Sequence, residues 1–207
     1  MKIIVFGPTG GTGRLLLEKA VQAGHTVTAF ARNTATLAIQ HNLRILTGSV
    51  LDPNTVDAAV TGQDAVVSAL GGRPWRRSAI CTPAIRNITA AMAKHGISRI
   101  VTISTFGAGD TRPDVGWLAR NLLFGIALRN EVADKEAMEQ HLETTCLDWV
   151  VVRVGLLTNG PVRRVFRVAD DRTIYGMGKI ARADVADFML AQITSERWVR
   201  RKPVIVY

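Results

Sequence analysis

Lys2-Ile3-Ile4-Val5-Phe6-Gly7-Pro8-Thr9-Gly10-Gly11-Thr12-Gly13-Arg14-Leu15-Leu16-Leu17-Glu18-Lys19-Ala20-Val21 is the stretch that decides the fold. Its opening residues form a β-branched apolar run that reads as a buried strand, and its last residues read as an apolar helix. Between them stand glycines at positions 7, 10 and 13, spaced G-x-x-G-x-x-G. At such a junction the first glycine permits a tight turn out of the strand. The second lets the backbone approach a pyrophosphate with no Cβ between them, and the third lets the helix pack close to the strand. The free N–H groups of the helix's first turn then face the phosphates, whose charge the helix dipole favours. The expectation is a phosphate cradle built from Gly7, Thr9, Gly10, Gly11, Thr12, Gly13 and Arg14.

Working outward, strand-like and helix-like segments keep alternating. Strands are predicted over His25–Ala31, Leu43–Leu46, Asp64–Leu70, Arg99–Ser104, Leu147–Val154 and Pro203–Val206. Helices are predicted over Pro53–Val60, Pro83–His95, Glu131–Leu142 and Ala183–Ile193, with Pro53 suited to a first turn and Gly96 to a stop. Continuous apolar strands separated by helices imply a parallel sheet covered on both faces. The predicted fold is α/β: a doubly wound Rossmann fold with a central parallel sheet, in strand order 3-2-1-4-5-6 plus an added edge strand. The 207 residues are expected to form a single domain, with a substrate-side loop at about 105–130 and a C-terminal cap at about 155–182.

Composition narrows the function classes. Cys81 and Cys146 are far apart, and His25, His41, His95 and His141 are scattered, so no metal site is predicted. Two unpaired thiols suit a reducing compartment, and the first apolar run is too short for a signal peptide, so a cytoplasmic location is expected. Val115–Leu128 is interrupted by Arg120 and Asn121 and is shorter than the roughly 20 apolar residues a membrane span requires. The net charge is +9, with basic clusters at Arg73/Arg76/Arg77, at Arg163/Arg164/Arg167 and at Arg197/Arg200/Arg201/Lys202. No nucleic-acid-binding motif accompanies them, so nucleic acid is not expected as the primary ligand. The first two clusters suit an anionic cofactor or substrate instead.

Ligands of such sheets bind beyond the carboxyl ends of the strands. After the second strand comes Arg32 and no carboxylate, which favours a 2′-phosphate and so NADP(H) over NAD(H), with Arg14 placed to assist. Ser49 and Val50, after the third strand, are the candidate adenine contacts. Leu70, Gly71 and Arg73, after the fourth, offer close approach to the cofactor's ribose or phosphates. Ser104 and Thr105, after the fifth, are expected to face the nicotinamide end. Phe106, Trp117, Phe124 and Leu156-Leu157 read equally as pocket lining or as core. Asp184 is expected to cap the first turn of the last helix.

The motif Phe6-Gly7-Pro8-Thr9-Gly10-Gly11-Thr12-Gly13, Arg32, Gly62-Gln63-Asp64-Ala65-Val66, Arg86-Asn87-Ile88, Asp134-Lys135, Leu147-Asp148-Trp149, Arg153 and Arg182-Ala183-Asp184-Val185-Ala186 together carry a resemblance. The chain resembles the atypical short-chain dehydrogenase/reductases, the NAD(P)H-binding group that includes biliverdin reductase B-like flavin reductases and NmrA-like proteins. The resemblance extends over essentially the whole chain. It departs from the family at four places. The Y-x-x-x-K pair of carbonyl-reducing members is missing, because Lys135 is preceded four residues earlier by Glu131, and the tyrosines are Tyr175 and Tyr207. The serine position falls at Thr105 beside Ser104, the histidine position at Leu156, and the adenine-side aspartate at Ser49.

What the resemblance implies is an NADPH-dependent oxidoreductase that passes hydride to a small-molecule acceptor, a flavin, tetrapyrrole or quinone-like ring, as a monomer or dimer. Ser104, Thr105 and Lys135 are the expected catalytic residues. Hydride transfer to such a ring asks for positioning more than for a protein acid, since the product can take its proton from water. The alternatives are an NmrA-like NADP(H) sensor without turnover, and a ketoreductase or epimerase acting on a pathway intermediate.

Overall fold

A computed structural model describes all residues except 38–40, 72–78, 115–127, 171–172, 175 and 177. Strand β1 (Lys2–Phe6) feeds helix α1 (Gly11–Gln22), which starts inside the glycine motif. There follow β2 (Thr26–Ala31), β3 (Leu43–Thr47), α2 (Pro53–Val60), β4 (Ala65–Ser68), α3 (Cys81–Lys94) and β5 (Arg99–Thr105). A 3-10 turn over Gly109–Asp114 precedes α4 (Arg129–Glu143) and β6 (Asp148–Val154). The chain then runs through β7 (Leu156–Thr158), β8 (Arg167–Ala169), β9 (Lys179–Ala181), α5 (Arg182–Ala191) and β10 (Val204–Val206).

The main sheet has the order β3-β2-β1-β4-β5-β6-β10-β8. Its first seven strands are parallel, and β8 closes the edge antiparallel to β10. The Rossmann order 3-2-1-4-5-6 predicted from the sequence is present, with two added edge strands where one was expected. A small parallel pair, β7 with β9, lies within residues 155–182 and was not foreseen.

Side chains alternate across the pleat, so each central strand feeds two cores. Ile3 and Val5 of β1 pack with Leu16, Leu17 and Ala20 of α1 and Val185, Phe188 and Met189 of α5. Ile4 and Phe6 pack on the other face with Val56 and Val60 of α2, Ile85 and Ile88 of α3, and Met138 and Leu142 of α4. Burial on both faces explains why the strands read as unbroken apolar runs. It also fixes the carboxyl edge of the sheet as the place where backbone and polar side chains are left for a ligand. Among the described residues, no helix is long and apolar enough to cross a membrane.

Candidate cofactor and substrate site

Gly7 leaves β1 with φ at +79°, and a Cβ there would stand 2.9 Å from the carbonyl carbon and oxygen of Ala69. A Cβ on Gly13 would collide with the carbonyl oxygen of Gly7. These two glycines are required by the protein's own packing. Gly10 is different: a Cβ there would meet only the Gly7 oxygen, at an ordinary 3.5 Å, and the residue is exposed. Protein packing does not explain that glycine, whereas close approach of a ligand to the backbone does. The first N–H groups of α1 lie beside it without intrahelical partners. The cradle therefore fits a dinucleotide pyrophosphate, and Gly10, Gly11 and Thr12 are the residues that would hold it.

Arg14 donates from Nε to the Thr9 carbonyl at 3.2 Å and stays exposed over the loop. Arg32 follows the last residue of β2 and is exposed. The turn it opens is set by Asn33, whose Oδ1 accepts from Ala35 N at 3.0 Å, and residues 31–37 contain no carboxylate. A 2′-phosphate there would meet the Arg32 guanidinium and no carboxylate from residues 31–37.

After β3, a Cβ on Gly48 would stand 2.6 Å from the Phe30 ring, so this turn too is held close by glycine. Ser49 is drawn into that turn. Its Oγ accepts from Leu51 N at 3.2 Å, and its carbonyl accepts from Thr55 Oγ1 at 3.0 Å. The Val50 side chain is buried, and its carbonyl accepts from Asn87 Nδ2 at 3.0 Å.

Beyond β4, the Leu70 carbonyl accepts from Lys135 Nζ at 2.7 Å and from the Cys81 thiol at 3.7 Å. The same ammonium donates to the Ile103 carbonyl of β5 at 2.7 Å. Lys135 is 4% exposed, so it is an internal brace between the ends of β4 and β5 and not a surface lysine. Gly71 is exposed, with open space where a Cβ would be. Arg73 lies outside the described residues, as do Trp117, Arg120, Phe124 and Tyr175.

The two hydroxyls expected at the nicotinamide end part company. Ser104 is 2% exposed and donates to Glu139 Oε1 at 2.5 Å. Glu139 is itself paired with Arg153, whose Nη2 reaches Oε2 at 2.6 Å and also meets Asp110 at 2.6 Å. Burial pushes the Asp110 carboxyl up, but the Arg153 hydrogen bond and charge outweigh it and hold the group below the usual carboxylate range. The expectation that Ser104 faces the nicotinamide is therefore corrected: strand alternation sends it, like Thr102 before it, toward α4. Thr105 is half-buried at the strand end and donates to the Phe106 carbonyl at 3.3 Å. Phe106 is 1% exposed and belongs to the core, whereas Leu156 is 45% exposed beyond β6.

Asp134 sits one residue before Lys135 and serves α3 instead. Its carboxylate accepts from the backbone N–H groups of Ile80, Cys81 and Thr82 at 2.7–2.9 Å. Burial raises this carboxyl, and those N–H bonds more than reverse it, leaving the group below its ordinary value. Ile80 at the N-cap has no capping side chain, so α4 supplies the cap across space. A groove of about 730 Å³ runs along the outer faces of α3 and α4 past Thr82, Arg86, Ala133 and Ala137. Among the described residues that line it, the only carboxylate is Asp134, which is already engaged by the α3 cap.

Asp184 does not cap α5. Its oxygens accept from the N–H groups of Arg163 and Arg164 at 3.0 and 2.8 Å and from the Tyr207 hydroxyl at 2.6 Å. It thus holds the loop after β7 and leaves Arg163, Arg164 and Arg167 on an exposed basic rim. The C-terminal basic cluster is largely occupied by local pairs, Arg201 with Asp170 and Lys202 with Glu143. Among the described residues, no group of three histidine, cysteine or acidic side chains could hold a metal.

One site residue escaped the sequence reading. Arg182, the first residue of α5, lies across the glycine loop: a Cβ on Gly11 would stand 2.8 Å from its Cδ and Nε. Its Nη1 donates to Asn159 Oδ1 at 2.7 Å. Applying the strand-end rule to β9 would have found it, but β9 itself was not recognised.

Residues 7–196 match the family model described as NAD(P)H-binding. The chain is 27% identical over 212 aligned residues to an uncharacterized chloroplastic protein of Arabidopsis thaliana, covering 94% of this chain and 72% of that one. It is 24% identical to the photosystem II assembly factor Ycf39 of Synechocystis, covering all of this chain and 62% of that protein. Among solved structures it is similar to ChuY, an anaerobillin reductase from Escherichia coli O157:H7, at 26% identity and a TM-score of 0.84, covering 100% of this chain and 97% of that one.

Proposed function

The chain belongs to the NAD(P)H-binding family, and from that premise we propose that it is an NADPH-dependent oxidoreductase that passes hydride to a flavin or another planar, conjugated acceptor. The observation that carries the cofactor preference is the turn after β2: Arg32 is exposed there, Arg14 flanks the loop, and residues 31–37 contain no carboxylate. An NADP(H) 2′-phosphate gains charge-assisted hydrogen bonds at such a turn, and an unphosphorylated ribose gains little.

Gly10, Gly11 and Thr12 hold the pyrophosphate in this reading, with Arg182 beside them. Ser49 and Val50 border the adenine, and Leu70 and Gly71 border the ribose of the nicotinamide half. Reduced nicotinamide, when bound, supplies the hydride. The protein's own part is to fix the floor of the site. Lys135 ties the ends of β4 and β5 together by its two carbonyl contacts, and Ser104 anchors β5 to α4 through Glu139. Ser104 and Lys135 act in this account as positioning residues, and Thr105 as the hydroxyl nearest the acceptor.

What the strand ends offer supports this acceptor class. The Thr105 hydroxyl and the apolar Leu156 border the site, and the Arg163–Arg164–Arg167 rim is placed to receive carboxylate or phosphate groups. A planar acceptor stacked over the nicotinamide depends on such positioning. Similarity to a protein described as an anaerobillin reductase supports reductase chemistry. The test is NADPH oxidation with FMN, riboflavin and small quinones. Turnover with at least one supports the reading. Tight NADPH binding without turnover on any of them contradicts it and favours a nucleotide sensor.

A further inference from the structure

Helix α4 runs antiparallel to β5 and carries an acid-base-acid stripe at positions 131, 135 and 139, four residues apart and so on one face. Two members of that stripe are accounted for: Glu139 receives the Ser104 hydroxyl, and Lys135 braces the Leu70 and Ile103 carbonyls at the ends of β4 and β5. Glu131 is one turn farther along, about 6 Å beyond Lys135 toward the carboxyl edge of the sheet. Side chains on a helix lean toward its N-terminus, which here points the same way. Since the Lys135 ammonium already reaches the Ile103 carbonyl near the end of β5, the next turn stands at the carboxyl edge, where ligands of this fold bind. It is half-buried, and among the described residues it forms neither a hydrogen bond nor an ion pair within contact distance.

We infer that Glu131, held above Lys135 at the carboxyl edge, is the proton source for the acceptor. This rests on the reductase reading above. In the step, the Glu131 O–H bond breaks and its proton passes to the acceptor oxygen or nitrogen that gains electron density as the hydride supplied by the nucleotide arrives. The carboxylate then recovers a proton from water, so NADPH, one proton and the acceptor give NADP⁺ and the two-electron-reduced acceptor. The charged groups that act on Glu131 are Lys135 and Asp134 on its own helix, and this pair in turn interacts with the buried Cys81 thiol on α3. Burial pushes the Glu131 carboxyl up, the Lys135 ammonium pulls it down, and the Asp134 carboxylate pushes it up again. The net direction is upward, toward the proton-bearing form that a general acid needs.

The experiment compares the wild-type protein with Glu131→Gln and Glu131→Asp. In nucleotide-free protein, the ¹³C resonance of the glutamate carboxyl that disappears in Glu131→Gln is expected to titrate above the ordinary glutamate value. With a quinone as acceptor, Glu131→Gln is expected to lower kcat about a hundredfold or more and to abolish the fall in rate at high pH. The NADPH Kd should stay unchanged, and Glu131→Asp should restore part of the rate. A carboxyl that titrates at or below the ordinary value, or a Glu131→Gln protein with wild-type rate and pH profile, overturns the inference alone. Wild-type protein that turns over no acceptor overturns the reductase reading and this inference with it.

Discussion

Arg182 packs its side chain across Gly11, so closely that a methyl group on that glycine would stand 2.8 Å from the arginine's Cδ and Nε. The last helix thereby places a cation on the first turn of α1, the same turn that would hold the pyrophosphate, while Asn159 fixes the guanidinium at 2.7 Å. Because the pyrophosphate is common to NADPH and NADH, Arg182→Ala should weaken both to a similar degree. A charge-assisted hydrogen bond is worth about 1.5–3 kcal/mol, so the expected loss is about tenfold or more. Titration calorimetry with both nucleotides checks it, and equal affinities in wild type and variant would remove Arg182 from the phosphate site.

Arg32 acts on one end of the cofactor only. Arg32→Ala should weaken NADPH about tenfold or more through loss of its pairing with the 2′-phosphate and leave NADH unchanged. The measurement is the ratio of the two dissociation constants in wild type and variant at one salt concentration. A ratio that does not move would assign the preference elsewhere.

The Ser104–Glu139–Arg153 network belongs to stability. Arg153 and Glu139 side chains are 2% and 3% exposed, and Asp110, the other partner of Arg153, is half-exposed. Glu139→Ala leaves a buried guanidinium short of its main partner and should cost about 3–5 kcal/mol. Ser104→Ala removes one hydrogen bond to a charged group and should cost about 1.5–3 kcal/mol. Urea denaturation reads both. NADPH affinity should be retained in Ser104→Ala, because the hydroxyl faces α4.

Asp134 gives the fold an acid sensitivity of definite sign. Its folded-state carboxyl is held below the ordinary value, so its contribution is fully present above the unfolded-state pKa of about 3.9 and disappears as pH falls through the lower folded value. Asp134→Asn should cost about 1–3 kcal/mol at neutral pH, and that difference should shrink at about pH 3. Urea midpoints of both proteins at the two pH values check it. A difference constant over this range would mean that the carboxylate's charge contributes nothing to the α3 cap.

The parts of this protein set by local chemistry were open to reading from the sequence. The Gly7–Gly13 motif, the strand order through β6 and the position of Arg32 follow from apolar runs, glycine spacing and the strand-end rule. What stayed hidden depends on parity or on long-range partners. Ser104 and Thr105 are adjacent hydroxyls, and only the register of β5 decides that the first turns toward Glu139. Asp184 looked like a helix cap, but its partners lie about twenty residues away in both directions, at Arg163–Arg164 and Tyr207. Lys135 read equally as a surface lysine, because nothing in a single sequence announces that two strand-end carbonyls converge on it. Strands β7, β8 and β9 have three residues each, too short for periodicity to register.

The most direct test of the central claim follows the reduced-nicotinamide absorption band while purified protein is first saturated with NADPH and then given FMN or a small quinone. The account predicts saturable binding, then loss of the band in proportion to the acceptor added. Binding followed by a band that persists with every such acceptor would contradict it.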